Sequence, residues 1–299
     1  ELTGDSLVNN QTYQLYNQDK IISNGIDKLM DRRTEGVDNG IYVNFLGNKT
    51  NAKTENEFSG YDSKSAGVVL GSMKKIGDST SVGGFLGYLD TNADYADNDN
   101  KQNLKTWSLT GAVNKELTDD LVWKNRVNYN YGINESEREI TFDNSNRTVK
   151  GDFNSWSAGG ATELEYSKKI NDIVTLRPTA GIAIDYLSQA GYTEKGADEL
   201  NLKVDSKNST STRIGTGIRA DVTAYKGKNS ALIVTPRADY SYELGNPYED
   251  RNVQISAFED SIVLAEREAG KNYLNAGLDV EYKTNEKFSL YGGYDMDVL

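Results

Sequence analysis

Two residue types are missing from the 299-residue sequence, cysteine and histidine. Without cysteine there is no disulfide framework and no thiol nucleophile. Without histidine the chain lacks the usual general base, the commonest zinc ligand and the residue that titrates near neutral pH. Ser-His-Asp hydrolases are therefore excluded, and no phosphate-binding loop or metal motif is present. The sequence predicts no catalytic residue, no cofactor and no metal site.

Long apolar runs and clustered positive charge are also missing. No stretch of 18 residues is apolar enough for a transmembrane helix. Transmembrane β-strands remain open, because their water-facing residues lower the mean hydropathy, which is −0.66 here. Acidic residues outnumber basic ones by 45 to 33, giving a net charge of −12. With no basic stripe, the chain is not expected to bind nucleic acid.

The first segment has helical periodicity. Residues 11–33 carry apolar side chains at helical spacing, among them Ile22 and Ile26. The opposite face is polar and charged, and the candidate contact residues on it are Asp27, Lys28, Asp31 and Arg32. Such a helix would be about 33 Å long, close to the thickness of a bilayer core, yet it is too polar to face lipid. It is either an amphipathic helix on a soluble core or a helix that crosses a membrane inside a water-filled pore.

From residue 40 onward the periodicity changes to two, and the pattern predicts eleven strands. Alternation continues over ten or more residues, as in 174–186 and 214–224. This length is typical of membrane-spanning strands, whereas soluble strands average five or six residues. The polar faces carry charged residues, including Arg126 and Asp279. In a barrel, nine others become candidate pore-lining residues: Glu163, Glu165, Arg177, Asp185, Arg213, Arg219, Asp221, Arg237 and Asp239.

The connections between these strands alternate in length. Long polar segments are predicted at 48–62, 90–103, 132–152, 189–208 and 245–269, and short turns at 76–79, 117–120, 168–172, 226–229 and 283–286. Outer-membrane barrels combine long extracellular loops with short periplasmic turns. A Greek-key sandwich has no reason to alternate so regularly. The alternation therefore favours a transmembrane antiparallel up-and-down β-barrel.

Aromatic residues fall at both ends of the predicted strands, with the parity of the apolar face. Those near the long connections are Tyr88, Trp107, Tyr129, Trp156, Tyr186, Tyr240 and Tyr294. Those near the short turns are Trp123, Tyr166, Tyr225, Tyr282 and Phe288. Amphipathic rings collect at the two boundaries of a bilayer. The two sets predict an outer and an inner aromatic belt.

Several short segments occur in an order that resembles the translocator domain of classical, monomeric autotransporters. They are the helix followed by Arg32-Arg33, the strand Gly40-Ile41-Tyr42-Val43-Asn44-Phe45-Leu46-Gly47, then Gly67-Val68-Val69-Leu70-Gly71, Gly83-Gly84-Phe85-Leu86-Gly87-Tyr88, Leu176-Arg177-Pro178 before Tyr186, and Thr235-Pro236-Arg237 before Tyr240. The resemblance covers nearly the whole chain.

This resemblance implies a twelve-stranded outer-membrane barrel with a helix threaded through its pore. Residues 1–10 would be the end of a passenger or linker, 11–33 the pore-threading helix, and 38–299 the barrel. Since eleven strands are visible, the last strand is expected to lie outside this sequence. The expected partners are outer-membrane lipid, an upstream passenger and the barrel-assembly machinery, for a monomeric protein without enzymatic activity. Some family members cut their linker at an Asn-Asn pair, which makes Asn9-Asn10 a candidate cleavage site.

The predicted function is export of the passenger to the cell surface and its anchoring in the bacterial outer membrane. Two alternatives remain open at this stage. One is a passive channel or porin with an N-terminal plug helix. The other is a soluble β-sandwich adhesin, in which the charged strand faces would meet solvent.

Overall fold

A computed structural model describes residues 5–30, 39–55, 58–96, 99–142, 145–228, 230–268, 270–285 and 288–297. Its helices are α1 (Asp5–Asn9) and α2 (Gln11–Met30), with one 3-10 turn at Asp198–Leu200. Neither helix is both long enough and apolar enough to span a membrane. The strands are β1 (Asn39–Ala52), β2 (Tyr61–Ile76), β3 (Thr80–Tyr95), β4 (Lys101–Glu116), β5 (Leu121–Phe142), β6 (Ser145–Tyr166), β7 (Lys168–Lys169), β8 (Val174–Gln189), β9 (Tyr192–Thr193), β10 (Leu202–Val204), β11 (Lys207–Lys226), β12 (Ala231–Glu243), β13 (Arg251–Ile255), β14 (Ser261–Leu264), β15 (Asn272–Asn285) and β16 (Phe288–Asp297).

Eleven long strands form one antiparallel sheet in which each strand pairs with the next long strand along the chain, β1-β2-β3-β4-β5-β6-β8-β11-β12-β15-β16. The short strand β7 pairs with β8 at the edge of this order. This confirms the predicted up-and-down fold and the count of eleven strands. Within the described ranges no pairing joins β1 to β16. We call the end of the sheet with the short turns the inner end and the opposite end the outer end.

Side chains alternate between the two faces of this sheet. Along β4, burial alternates almost residue by residue from Lys101 to Val113. The outward face is apolar and exposed, with Ile41 at 81% and Phe45 at 83% relative accessibility. In water such a surface would be strongly unfavourable, whereas in a bilayer it faces hydrocarbon. The inward face encloses a lumen that contains α2.

The prediction of long loops at the outer end was partly wrong. Residues 132–152 were expected to be a loop, but β5 and β6 stay paired from Leu121↔Tyr166 to Phe142↔Ser145. Alternation was less visible there, because above a bilayer both faces of a strand meet polar surroundings. The result is a hairpin that continues well beyond the aromatic residues.

The predicted loops 189–208 and 245–269 also contain strands. They form a second, four-stranded sheet in the order β14-β13-β10-β9, which we call the cap. Its apolar side chains pack with Val8, Leu15 and Tyr16 of the helices, and with Leu187 of the wall. The cap therefore covers the outer end of the lumen, directly above the start of α2.

Candidate functional site: the occupied lumen

The helix α2 lies against one side of the lumen. Ile22 and Ile26 are each 1% exposed and pack with Phe85 and Val69 on the inward faces of β3 and β2. The wall is thinned at this contact by Gly87, where an added Cβ would lie 3.1 Å from the Ile22 side chain. The apolar face of the predicted helix is thus buried against β1–β4. Strand glycine here allows close approach of the helix.

The charged side of α2 faces the other part of the wall. Arg126 Nε of β5 lies 2.8 Å from Asp27 Oδ1. Lys28 Nζ lies 3.4 Å from Asp279 Oδ1 of β15. These two ion pairs fix the rotation of the helix in the pore. The other two charged residues assigned to this helix, Asp31 and Arg32, lie outside the described residues.

A buried carboxylate organises the inner half of the wall. The side chain of Glu165 is fully buried, and its Oε2 lies 2.7 Å from Lys124 Nζ and 3.1 Å from both Arg177 Nη1 and Arg219 Nη1. Glu163 adds a second carboxylate 3.3 Å from Arg219. Because these residues belong to β5, β6, β8 and β11, the cluster ties four neighbouring strands together.

Further ion pairs continue around the same face. Arg177 also pairs with Asp221 at 2.8 Å, and Arg213 pairs with Asp185 at 3.0 Å. Arg237 lies 3.4 Å from Asp279 and 3.8 Å from Asp239. All nine residues proposed from the sequence to line the pore thus take part in ion pairs on the inward face. Many of these pairs join wall residues to one another and not to the helix.

Lys124 belongs to this constellation but was missed from the sequence. Its neighbour Trp123 has the parity of the lipid-facing set, so Lys124 must point to the opposite face. The sequence therefore contained the information that Lys124 faces the lumen. It did not contain the choice of partners, because that depends on the register between β5 and β6, which the sequence pattern does not fix.

The outer half of α2 is buried although it is polar. Gln14 Nε2 donates to Tyr95 Oη at 2.6 Å, and Ser157 Oγ donates to Asp19 Oδ2 at 2.5 Å. Gln18 accepts a hydrogen bond from Thr106. Polar groups removed from water must be paired, so these contacts specify the position of the helix more sharply than apolar packing alone.

Arg251 of the cap joins three parts of the molecule. Its guanidinium contacts Gln11 Oε1 at 2.9 Å and Gln189 Oε1 at 3.0 Å. It also lies 2.9 Å from Glu266 Oε1. Nearby, Gln11 Nε2 donates to Tyr192 Oη at 2.7 Å. Burial raises the pKa of the Tyr192 hydroxyl, which therefore stays protonated.

The Asn-Asn pair lies inside this mouth. Asn9 ends α1 and Asn10 is fully buried, with its Nδ2 donating to the Ser6 carbonyl at 2.7 Å. The Asn9 carbonyl accepts a hydrogen bond from the Arg267 backbone N–H at 2.8 Å. Both side-chain oxygens are buried without a hydrogen-bond partner. The pair is thus enclosed by protein at the junction between α1 and α2.

A cavity of about 220 Å³ remains between α2 and the charged wall. Its lining includes Lys20 and Asp27 from the helix and Arg213, Arg219 and Arg237 from the wall. The helix therefore fills the lumen unevenly, closely on the β1–β4 side and loosely on the charged side. The arrangement provides a charge-lined passage that a helix occupies and a cap covers.

Residues of the two aromatic sets lie on the outward face. Near the outer end, the Tyr88 and Trp107 ring centroids are 4.6 Å apart, and those of Trp156 and Tyr186 are 5.4 Å apart. The remaining outer residues are also exposed: Tyr129, Tyr240 and Tyr294. At the inner end the exposed rings are Trp123, Tyr166, Tyr225 and Tyr282. The side chain of Phe288 lies outside the described part of the structure.

Comparison with known proteins gives a family match. A profile of the autotransporter beta-domain family matches residues 41–295. An extracellular serine protease of Serratia marcescens is 25% identical over 277 residues, covering 86% of this chain and 24% of that protein. The chain spans about a quarter or less of the length of the curated relatives it matches.

Two solved structures share the fold. The translocator domain of the autotransporter NalP from Neisseria meningitidis has a TM-score of 0.76 at 14% identity, covering 97% of this chain and 91% of that chain. The beta domain of the Bordetella autotransporter BrkA has a TM-score of 0.58 at 15% identity, covering 88% of this chain and 93% of that chain. Both similarities concern the barrel architecture.

Proposed function

Since this chain belongs to the autotransporter β-domain family, and is thereby an outer-membrane translocator domain, we propose how its parts divide the work. Residues 1–10 end a passenger or linker, residues 11–33 thread the pore, and residues 38–299 form the translocating barrel. The observation that supports this most is the ion-paired helix in the lumen, joined to the wall by Asp27–Arg126 and Lys28–Asp279. The helix is the last part of the exported chain to enter the pore, and its contacts hold the passenger at the cell surface.

The segment itself carries out transport and anchoring without catalysing a reaction. Its ionisable lumen residues are paired with opposite charges, as in the cluster around Glu165, which suits a hydrated wall better than a catalytic site. The protein works as a monomer that the barrel-assembly machinery inserts. Any enzymatic activity of the whole protein would belong to a passenger.

The barrel is closed by a twelfth strand. β1 and β16 both run from the inner to the outer end, because nine strands lie between them in the sheet and each strand is antiparallel to the next. Direct pairing of these two edges would be parallel, whereas one further strand between them restores an antiparallel ladder. Unpaired backbone groups are strongly unfavourable in hydrocarbon, so the gap must be filled in the membrane.

Removal of the helix tests the plug. In a planar bilayer, the full chain with residues 5–30 deleted should conduct more ions per channel than the intact chain, because the lumen has lost its occupant. The full chain, which retains the helix, is the matched control. Equal conductance of the two proteins would contradict the assignment of α2 as a pore-filling segment.

The direction of the chain can be tested on whole cells. An epitope inserted upstream of α1 should be accessible to antibody and to external protease, because α1 lies beneath the cap at the outer end. An epitope in the turn between β2 and β3 should be protected until the membrane is permeabilised. The opposite accessibility would contradict surface anchoring.

A further inference from the structure

A row of four aromatic side chains crosses the outward face of β3–β6. Tyr88, Trp107, Tyr131 and Trp156 are register partners in turn. Tyr131 was not among the belt residues expected from the sequence, although it shares the parity of Tyr129. Amphipathic rings in such a row lie at the boundary between hydrocarbon and lipid headgroups.

A recess of about 230 Å³ opens in the wall directly above this row. The outward-facing side chains that line it are Asn103, Lys105, Ile133, Glu135, Asp152 and Asn154. Lys105, Ile133 and Asn154 each lie two residues beyond an aromatic residue of the row. Two residues of a strand span about 7 Å, which places the recess at the depth of the headgroups.

The recess presents polar groups that the protein does not itself satisfy. Among the residues described, the side chains of Lys105, Asp152 and Asn154 have no ion pair or hydrogen bond. Glu135 contacts Lys150 at 3.4 Å, and Asn103 donates to Asp90 at 2.9 Å. An ammonium, an amide and a carboxylate therefore face the same small space.

This chemistry fits hydroxyl groups better than a bare phosphate. Two carboxylates, Glu135 and Asp152, line the recess with one ammonium, Lys105, and Glu135 is also paired with Lys150. The recess therefore has no excess of positive charge to attract a phosphodiester. Hydroxyl groups can donate to these carboxylates and accept from Lys105 and Asn154. We propose that the recess binds the sugar headgroup of a glycolipid in the outer leaflet. The aromatic row below the recess then contacts the sugar and the upper part of an acyl chain.

Binding can be measured by native mass spectrometry of the full chain released from dimethylamine-oxide micelles, since a sugar detergent would compete. The probes are lipid A, a phosphorylated and acylated diglucosamine, and phosphatidylglycerol, which carries a phosphate but no sugar, so that phosphate is common to both and the sugar is not. Lipid A should remain bound at concentrations where phosphatidylglycerol is lost. Replacing two recess side chains, Asp152→Ala with Asn154→Ala, should weaken lipid A binding about tenfold, the effect of removing two hydrogen bonds.

The matched control removes two exposed polar side chains outside the recess on neighbouring strands, Lys64→Ala with Asp94→Ala. It should bind lipid A like the unaltered protein, and all three proteins should keep a heat-dependent gel shift. Equal retention of both lipids, or an equal loss in both double variants, would overturn the proposal. So would retention of phosphatidylglycerol that Lys105→Ala abolishes, since that would make the recess a phosphate site.

Discussion

At the residue scale, the lumen is governed by the pairing of buried charges. Glu165 is the clearest case, because three cations lie within 3.1 Å of one of its oxygens and its side chain is inaccessible to water. Such a cluster is stable only as a complete set, since each remaining charge would otherwise be buried without compensation. Charge-neutralising substitutions should therefore have unequal effects around the wall.

Glu165→Gln should strongly destabilise the barrel, because Lys124, Arg177 and Arg219 then repel one another without their shared carboxylate. Breaking a buried pair costs about 3–5 kcal/mol. Urea unfolding of the full chain in detergent micelles measures the loss. The control is Glu281→Gln, which removes a carboxylate from β15, outside this cluster. Similar unfolding midpoints for the two variants would show that the cluster does not stabilise the wall.

The pair between Asp27 and Arg126 permits a charge exchange. Asp27→Lys places a cation beside Arg126 and should loosen the helix, seen as larger and noisier single-channel currents. The double variant Asp27→Lys with Arg126→Asp should restore quiet, low conductance, because the attraction returns with its partners exchanged. If the double variant is as noisy as the single one, this ion pair does not hold the helix.

At the element scale, the structure separates what a sequence pattern can show from what it cannot. The helix and the long strands were predictable, since their periods of 3.6 and two run over many residues, as in Ile22 and Ile26 of α2. The cap was missed because its strands contain only two to five residues, too few for alternation to stand out. Its position also depends on contacts with α1 and α2 from the opposite end of the chain.

The cap should open when its central arginine is removed. Arg251→Ala leaves Gln11 and Gln189 without the guanidinium that joins them. Hydrogen exchange should then become faster in residues 251–264 while β5 and β6 remain protected. Arg147→Ala is the control, because Arg147 and its partner Asp198 are exposed and such pairs contribute little. Unchanged protection in the Arg251 variant would mean that apolar packing alone holds the cap.

At the scale of the whole molecule, the outward face shows how the barrel sits in lipid. Apolar residues cover its middle, and aromatic residues lie toward both ends of the strands. The two faces of the sheet could be predicted from parity along the chain, whereas the aromatic belts stay a prediction. The network inside could not be predicted, because Asp279 meets Arg237 through the register between β12 and β15 and meets Lys28 through the position of the helix, neither of which a local pattern encodes.

The three tryptophans provide a depth measurement for this arrangement. Variants that retain only Trp107, only Trp156 or only Trp123 should each be quenched most by lipids brominated near the glycerol end of the acyl chain. A water-soluble quencher added outside oriented vesicles should reach the first two and not the third. Strong quenching of all three in detergent-free buffer would instead indicate a soluble sandwich.

The rim of the barrel is uneven, since β5 and β6 each have 22 residues and rise far above the aromatic row, while β1 has 14. Because the wall is tall on one side and low on the other, the free space outside the mouth lies mainly over the low side. A polypeptide leaving the mouth is consequently excluded from the side of the tall hairpin, and its first free residues lean away from β5 and β6. The barrel thus influences the direction in which an exported chain leaves it, in addition to providing the exit.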